Sequence, residues 1–389
     1  MTEHSPTSVI IPTFNRSVYL VEALESVLAQ TLPPAEIIVA DDGSTDDTAE
    51  RMAPYGDRIR YIRKDNTGKA ATLNDCLEIA SQEYIWIMDD DDIALPHALE
   101  TLTKLIRSDP AVGFSYGCYE RFSVDKETAK ERVKDCGYWQ NVPPEQFLIA
   151  TYQDMFAHHP GMLVKKLAYQ TVGPFSLTYP RTEDHEMLIR LASAFPVSGS
   201  SKIVFRQRQH DGIRFGGLEA DKRDHRWVEE QMALFTALYQ SADLASFLPR
   251  GSVTSPHLSP AQKREALITR GTIMARKKLW DQAIHDFCQA CEIDKEAPLS
   301  EREVMAIRLS LFSKFGSSEV LSDKTFVARF RTVAQIGPAG SQIARTLARS
   351  MLWFVGQSLR KGDIWRAAQF GQIAFRIGIG RPQYQASNP

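Results

Sequence analysis

Cysteine is scarce in this 389-residue chain, with five residues at Cys76, Cys118, Cys136, Cys288 and Cys291. So few, and an odd number, exclude a disulfide-stapled scaffold and fit a compartment that keeps thiols reduced. Cys288 and Cys291 have C-x-x-C spacing, but no second pair or histidines at ligand spacing follow, which argues against zinc. On a helix the two share a face and read as core packing. Long apolar runs are also missing: none reaches the ~18 residues of a membrane span. The start, Met1 to Pro6, has neither the basic opening nor the apolar stretch of a signal peptide, so a cytoplasmic protein is expected. Glycine (22) and proline (20) are too few for a collagen-like or low-complexity chain. A strong net charge is absent too, at −2.

That small value hides an asymmetry. From Lys324 to Pro389 there are ten Lys or Arg and one acid, Asp363, a balance of +9. The preceding 323 residues carry −11. A basic tail on an acidic body points to an anionic partner, or else to a solvated helix face. Of the anionic partners, contact with the inner face of a plasma membrane is the one expected here, and nucleic acid is not.

What is present is an alternation. Short apolar runs, Ser8–Ile11, Glu36–Ala40, Ile59–Ile62, Tyr84–Met88 and Val112–Tyr116, recur roughly 25 residues apart and read as buried strands. Between several of them lie helix-period segments, among them Leu20, Leu24, Val27 and Leu28, then Leu73, Leu77 and Ala80. A third helix is expected to open at Pro96 and run through Leu99, Leu102 and Ile106. This predicts an α/β fold with a parallel sheet covered on both faces. From about Trp227 strand-like runs vanish, so an all-α C-terminal region is expected. The expected division is 1–226, a helix and linker over 227–260, and a helical domain over 261–389. In the last, Gly271, Ala283, Phe287 and Ala290 occupy the small and aromatic positions of a tetratricopeptide-type hairpin. Gly362 to Ala374 echoes it; a generic helical bundle is the alternative.

Ligands of an open parallel sheet sit beyond the carboxyl ends of its strands. Asp41-Asp42-Gly43-Ser44 follows the second run and Asp89-Asp90-Asp91-Asp92 the fourth, so both clusters should open on one edge. Four consecutive aspartates beside an apolar strand call for a compensating cation, and Mg²⁺ or Mn²⁺ bridging carboxylates to phosphates supplies it. A third cluster, Glu183-Asp184-His185-Glu186, stands at the amino end of a helical run, where capping alone also accounts for an Asp.

In this order, Val9-Ile10-Ile11-Pro12-Thr13-Phe14-Asn15, Asp41 to Ser44, Asp89 to Asp92 with Pro96, Gly173-Pro174-Phe175, and Glu183-Asp184 followed by Arg190 resemble the inverting family 2 glycosyltransferases of GT-A fold. The resemblance covers residues 8–216. It implies transfer of a sugar from a UDP-sugar to a hydroxyl acceptor, which is a glycan, a lipid-linked glycan or a protein, in polysaccharide or glycoconjugate synthesis. Pro12, Thr13 and Asn15 would line the donor pocket, and Asp42 would accept from uracil N3–H. Lys69 would lie near the diphosphate, with solvent exposure as its alternative. Asp91 and Asp89 would hold Mn²⁺ or Mg²⁺, and Asp90 would face the ribose. His210, in a segment Arg206 to Arg214 that closes over the donor, would add a ligand unless it is structural. Asp184 would be the general base. His159 and Glu183 would line the acceptor side; adjacent histidines in a strand face opposite ways, so at most one of His158 and His159 reaches the site. A nucleotidyltransferase would need a Gly-rich turn where Pro12 to Arg16 stands. The non-enzymatic alternative is a scaffold that binds partners through its helical region.

Overall fold

The structure, a computed structural model, describes residues 4–125, 127, 128, 130–140, 142–209 and 220–378. Its contacts divide the chain into two units, Met1–Glu219 and Ala220–Pro389.

The first unit is built on β1 (Ser5–Thr13), β2 (Pro34–Asp41), β3 (Arg60–Arg63), β4 (Tyr84–Ile87), β5 (Ile93–Ala94), β6 (Phe114–Val124), β7 (Glu131–Cys136), β8 (Met162–Lys165) and β9 (Val197–Arg208). They form one mixed sheet in the order β3-β2-β1-β4-β8-β6-β9-β5, with β7 paired to β6. The run β3-β2-β1-β4 is parallel, as is the long β6–β9 pair. Successive side chains of a strand face opposite ways, and here both faces are covered. Ile10, Ile38, Ile85 and Ile87 pack under helices Lys69–Ile79 and Glu183–Ala194. Val9, Ile11, Val39 and Trp86 pack against helices Ser17–Leu28 and Ala98–Ile106. Fully buried residues such as Leu20, Leu24, Leu99 and Leu102 each contribute about 1.5–3 kcal/mol through burial.

Three departures from the sequence reading affect the site. β8 is antiparallel and enters between β4 and β6, so the five apolar runs are not five neighbouring parallel strands. β6 runs on to Val124, well past the expected end at Tyr116. β9 was not anticipated; it lies between β6 and the two-residue β5.

Among the described residues, the regular elements of the second unit are all helices. Ser259 caps helix Pro260–Arg276 through a reciprocal bond with Gln262, and Ser300 does the same with Glu303 for helix Glu301–Arg308. Helix Pro260–Arg276 pairs with helix Trp280–Ile293 at Gly271, where a Cβ would come within 3.0 Å of the Phe287 ring and 3.1 Å of the Ala283 carbonyl. Ala283, Phe287 and Ala290 are all buried there. The second hairpin joins Pro338–Arg360 to Ile364–Gly378 through a turn with Gly362 at φ +75°. Cys288 and Cys291 are free thiols on helix Trp280–Ile293, and burial pushes Cys291 up to about 12. Among the described residues, no helix is long and apolar enough to cross a membrane.

Candidate active site

Because β1, β2 and β4 are parallel, their carboxyl ends share one edge. Thr13 pairs with Asp41, the Asp42 amide donates to the Thr13 carbonyl (2.9 Å), and the Met88 amide donates to the Ile10 carbonyl (2.9 Å). Both acidic clusters therefore leave the sheet side by side. Within the first, neighbouring aspartates face opposite ways. Asp41 is fully buried and accepts from the Ser44 amide (2.7 Å) and the Tyr61 hydroxyl. Asp42 accepts from the Thr67 and Gly68 amides and the Thr72 hydroxyl, each at 2.9 Å. It thus fixes the segment ahead of Lys69. Gly43 permits this approach: at φ +84°, a Cβ there would sit 2.9 Å from the Asn66 nitrogen. Pro12 lies inside β1, opposite Ala40. Asn15, at φ 53°, ties the two turns together, its side-chain oxygen accepting from the Thr45 (2.7 Å) and Asp46 (3.3 Å) amides.

Each member of the quartet is held by a group from elsewhere in the chain, Asp90 and Asp91 sharing one. Lys69 Nζ donates to Asp89 (2.6 Å). Asp90 accepts from the Thr13 hydroxyl (2.8 Å) and from Arg16 Nη1 (3.0 Å), and the same Nη1 reaches Asp91 (2.9 Å). Asp92 accepts from the Arg208 amide (2.9 Å), while Arg208 Nε donates to the Asp91 carbonyl (3.0 Å). Burial pushes the Asp90 carboxyl up to about 6, against the pull of Arg16. Burial acts the same way on Asp89, but Lys69 more than offsets it and holds that carboxyl below its ordinary range. Sequence reasoning missed Arg16, because nothing local marks an arginine whose partners lie 74 and 75 residues away.

Among the described residues, no three His, Cys, Asp or Glu side chains form a ready-made metal cage. The donor set still fits a hard divalent cation that takes few protein ligands: Asp89 and Asp91 are carboxylates at one strand end, and carboxylates outnumber cations around them. His210, the third expected ligand, lies outside the described residues, as does the rest of its segment up to Arg214.

The Glu183-Asp184 pair opens helix Glu183–Ala194. Arg190 sets its position, clasping both Glu186 carboxylate oxygens (2.7 Å each) and donating to the carbonyls of Val172 (2.6 Å), Gly173 (3.1 Å) and Pro174 (2.8 Å). Asn74 and Phe175 exchange two hydrogen bonds (3.0 and 2.7 Å), fastening this turn to helix Lys69–Ile79. The pair is thereby brought to Lys69. Burial disfavours charge on that lysine, yet Asp89, Glu183 and Asp184 together outweigh burial and raise its pKa. Asp184 also accepts from the His185 amide (2.7 Å), so part of its position does reflect the helix end. His159 is buried edge-on to Phe175 (5.6 Å between centroids) and is held neutral, pushed down to about 3 by burial and then by Lys69. It belongs to a 3₁₀ turn, His159–Gly161, and not to a strand; His158 lies within 3.2 Å of the Tyr119 hydroxyl instead. Trp86 Nε1 holds the turn through the Pro160 carbonyl (2.9 Å).

Glu183 is buried, its Oε2 has no hydrogen-bond partner, and burial, then Asp184, pushes its carboxyl up to about 8. Folded protein keeps this proton where an unfolded chain, titrating near 4.5, has lost it. Stability contributed here is therefore complete below pH 4.5 and lost as pH rises toward 8. The Glu183→Gln variant is expected to lose less thermal stability than wild type between pH 5 and 8. Identical pH dependence of the two melting curves would show that Glu183 is already ionised.

Residues 8–173 match the model of a family described as Glycosyl transferase family 2. An uncharacterized glycosyltransferase of Rickettsia conorii is 32% identical over 216 residues, covering 53% of this chain and 34% of that protein. A chondroitin synthase of Escherichia coli is 28% identical over 223 residues, covering 56% of this chain and 31% of that protein. The chain thus spans about a third of the length of these two relatives. The fold is also that of residues 1–349 of S. aureus TarS, solved in complex with UDP-GlcNAc. The TM-score is 0.52 at 16% identity, over 98% of each chain. The matched block runs from the first strand to the turn at Gly173 that Arg190 clasps, and over that block the chain is similar to glycosyltransferase family 2.

Proposed function

We propose that this chain moves a sugar from a UDP-sugar to a hydroxyl acceptor, with inversion at the anomeric carbon, in the synthesis of a polysaccharide or glycoconjugate. The observation that carries this reading is the convergence on Lys69 of the strand-end carboxylate Asp89 and the helix-end pair Glu183 and Asp184. It brings a diphosphate-binding edge and a candidate base into one site. The names of two similar proteins, a chondroitin synthase and TarS in complex with UDP-GlcNAc, support a sugar-nucleotide donor.

In this reading Pro12, Thr13 and Asn15 shape the nucleotide pocket. Asp42 accepts from uracil N3–H, and Asp90 faces the ribose. Lys69 neutralises the diphosphate. Asp89 and Asp91, with His210, hold Mn²⁺ or Mg²⁺, which when bound supplies Lewis-acid stabilisation of the departing diphosphate. Asp184 takes the proton of the acceptor hydroxyl as the new bond to the anomeric carbon forms and the bond to the diphosphate oxygen breaks, releasing UDP. Neutral His159 and protonated Glu183 line the acceptor side without adding charge.

The test is UDP release from a panel of UDP-sugars, with Mn²⁺ or with chelator, for wild type and Asp91→Asn. Turnover of one donor that needs both the metal and Asp91 is the expected result. If neither UDP nor any UDP-sugar binds in calorimetry, the donor reading is wrong and the scaffold alternative leads.

The second unit supports peripheral attachment to an anionic membrane face on the cytoplasmic side. On helix Pro338–Arg360, exposed Arg345, Arg349, Leu352, Trp353, Leu359 and Arg360 recur at the spacing of a single helix face. Helix Ile364–Gly378 exposes Ile364, Trp365 (77%), Phe375 and Arg376. Exposed tryptophans among arginines suit an anionic lipid interface. Co-sedimentation with phosphatidylglycerol vesicles, lost in a Trp353→Ser/Trp365→Ser variant, is expected. Equal recovery with neutral and anionic vesicles would count against it.

A further inference from the structure

Arg16 occupies an unusual place. A single guanidinium nitrogen, Nη1, is shared between Asp90 (3.0 Å) and Asp91 (2.9 Å), and the Asp89 charge also acts on it. The side chain lies at the rim of the site, 25% exposed, while the two carboxylates are largely buried. Its backbone follows Asn15 in the left-handed region and immediately precedes helix Ser17–Leu28, so the side chain is aimed at the quartet by a fixed turn. One of its two acceptors, Asp91, is the carboxylate to which the proposed function assigns the divalent ion.

We propose that Arg16 is the resident counter-ion of Asp90 and Asp91, occupying the cation's place on Asp91 and giving it up when a divalent ion binds. This inference rests on the metal-dependent reading above. A guanidinium and a divalent ion on one largely buried carboxylate repel each other, so divalent binding at Asp91 favours release of the guanidinium. An arginine displaced from Asp91 remains tethered at the rim, beside the position proposed for the diphosphate, where a planar fork suits phosphate oxygens. Arg16 therefore weakens the nucleotide-free site for metal and makes tight metal binding depend on a donor that re-pairs the arginine.

The experiment is a Mn²⁺ titration of the full, nucleotide-free chain, read by electron paramagnetic resonance of free Mn²⁺. Arg16→Gln is expected to bind Mn²⁺ about tenfold more tightly than wild type, and Arg16→Lys, which keeps the charge, about as tightly as wild type. A merely structural role would lower affinity or leave it unchanged, and either result overturns the inference. A second measurement uses wild type alone, in case the variant fails to fold: Mn²⁺ should speed modification of Arg16 by phenylglyoxal, mapped by peptide mass. An unchanged or slower rate overturns it. Wild-type binding that Asp91→Asn abolishes, with Arg16→Gln equal to wild type, refutes the Arg16 role alone. No Mn²⁺ binding by any of these proteins refutes both it and the metal-dependent reading.

Discussion

Asp184→Asn is expected to reduce sugar transfer by about 10²–10⁴-fold, the range for loss of a positioned general base, while leaving UDP binding in place. The substitution is nearly isosteric. An asparagine oxygen still accepts from the His185 amide, so the start of helix Glu183–Ala194 keeps its bond. Lys69 keeps its direct partner, Asp89, and Arg190 keeps the turn at Gly173 clasped. What disappears is a group able to take the proton of an acceptor hydroxyl. Removing that charge also relieves Glu183, whose carboxyl Asp184 helps to raise, so the variant should show Glu183 ionising at lower pH. Calorimetry with UDP and Mn²⁺ checks the division of roles. If affinity falls in step with rate, Asp184 belongs to the donor site and not to the acceptor side.

A comparably large effect, on stability, is expected in the helical unit from Arg270→Met. Asp286 is fully buried and accepts two bonds from Arg270 (2.8 Å each) and one from the Tyr239 hydroxyl (3.0 Å). The guanidinium also lies over the Tyr239 ring, 4.3 Å from its centroid. Methionine fills much of the space but leaves a buried carboxylate with one neutral partner. Breaking such a pair costs about 3–5 kcal/mol. At about 2–4 °C per kcal/mol for a unit of this size, the melting midpoint should fall by roughly 10 °C. The double variant Arg270→Met/Asp286→Leu should recover most of that loss, since it buries no orphaned charge. A single-variant shift under about 2 °C would mean that Asp286 finds water instead. The same trio explains why helix Ala220–Ser241 belongs with the second unit: Tyr239 is one of its members.

The sequence revealed those parts of the fold that are buried on both faces. Val9-Ile10-Ile11 and Ile85-Trp86-Ile87 are nearly inaccessible to solvent, so the strands at the centre of the sheet appear as unbroken apolar runs. β7 is exposed at every position and, among the described residues, pairs with β6 alone, so its residues carry no hydrophobic signature. β9 is half polar, with Ser198, Ser200, Ser201 and Lys202 in its first half, and its apolar run, Ile203-Val204-Phe205, is hemmed in by Lys202 and Arg206. The antiparallel entry of β8 could not be read from periodicity, because apolar content does not encode direction. At the site, the acidic clusters stood out through composition and their position after apolar runs. Of the residues around them, Lys69, His159 and Arg190 were reached through the resemblance or a local motif, but Arg16 was missed, since it acts through folding contacts with distant residues. The histidine pair shows the difference: adjacency in an expected strand separated His158 from His159, and a 3₁₀ turn separates them instead.

The late arrival of β9 bears on how the unit is assembled during synthesis. β1 to β4 can pair with one another once roughly the first ninety residues have emerged, while the second edge of β4 waits for β8. Lys69, Thr13 and Arg16 can then hold Asp89, Asp90 and Asp91, but the end of the quartet cannot be secured. Its Asp92 is pinned by the Arg208 amide, the Asp91 carbonyl by the Arg208 side chain, and β5 by Ala94 opposite Phe205. All three anchors come from the last strand, more than a hundred residues downstream. A nascent chain therefore carries Asp92 and β5 unfastened until residue 208 is available, and a chain cut short of β9 would have the β3-β2-β1-β4 half of the sheet with the end of its quartet loose.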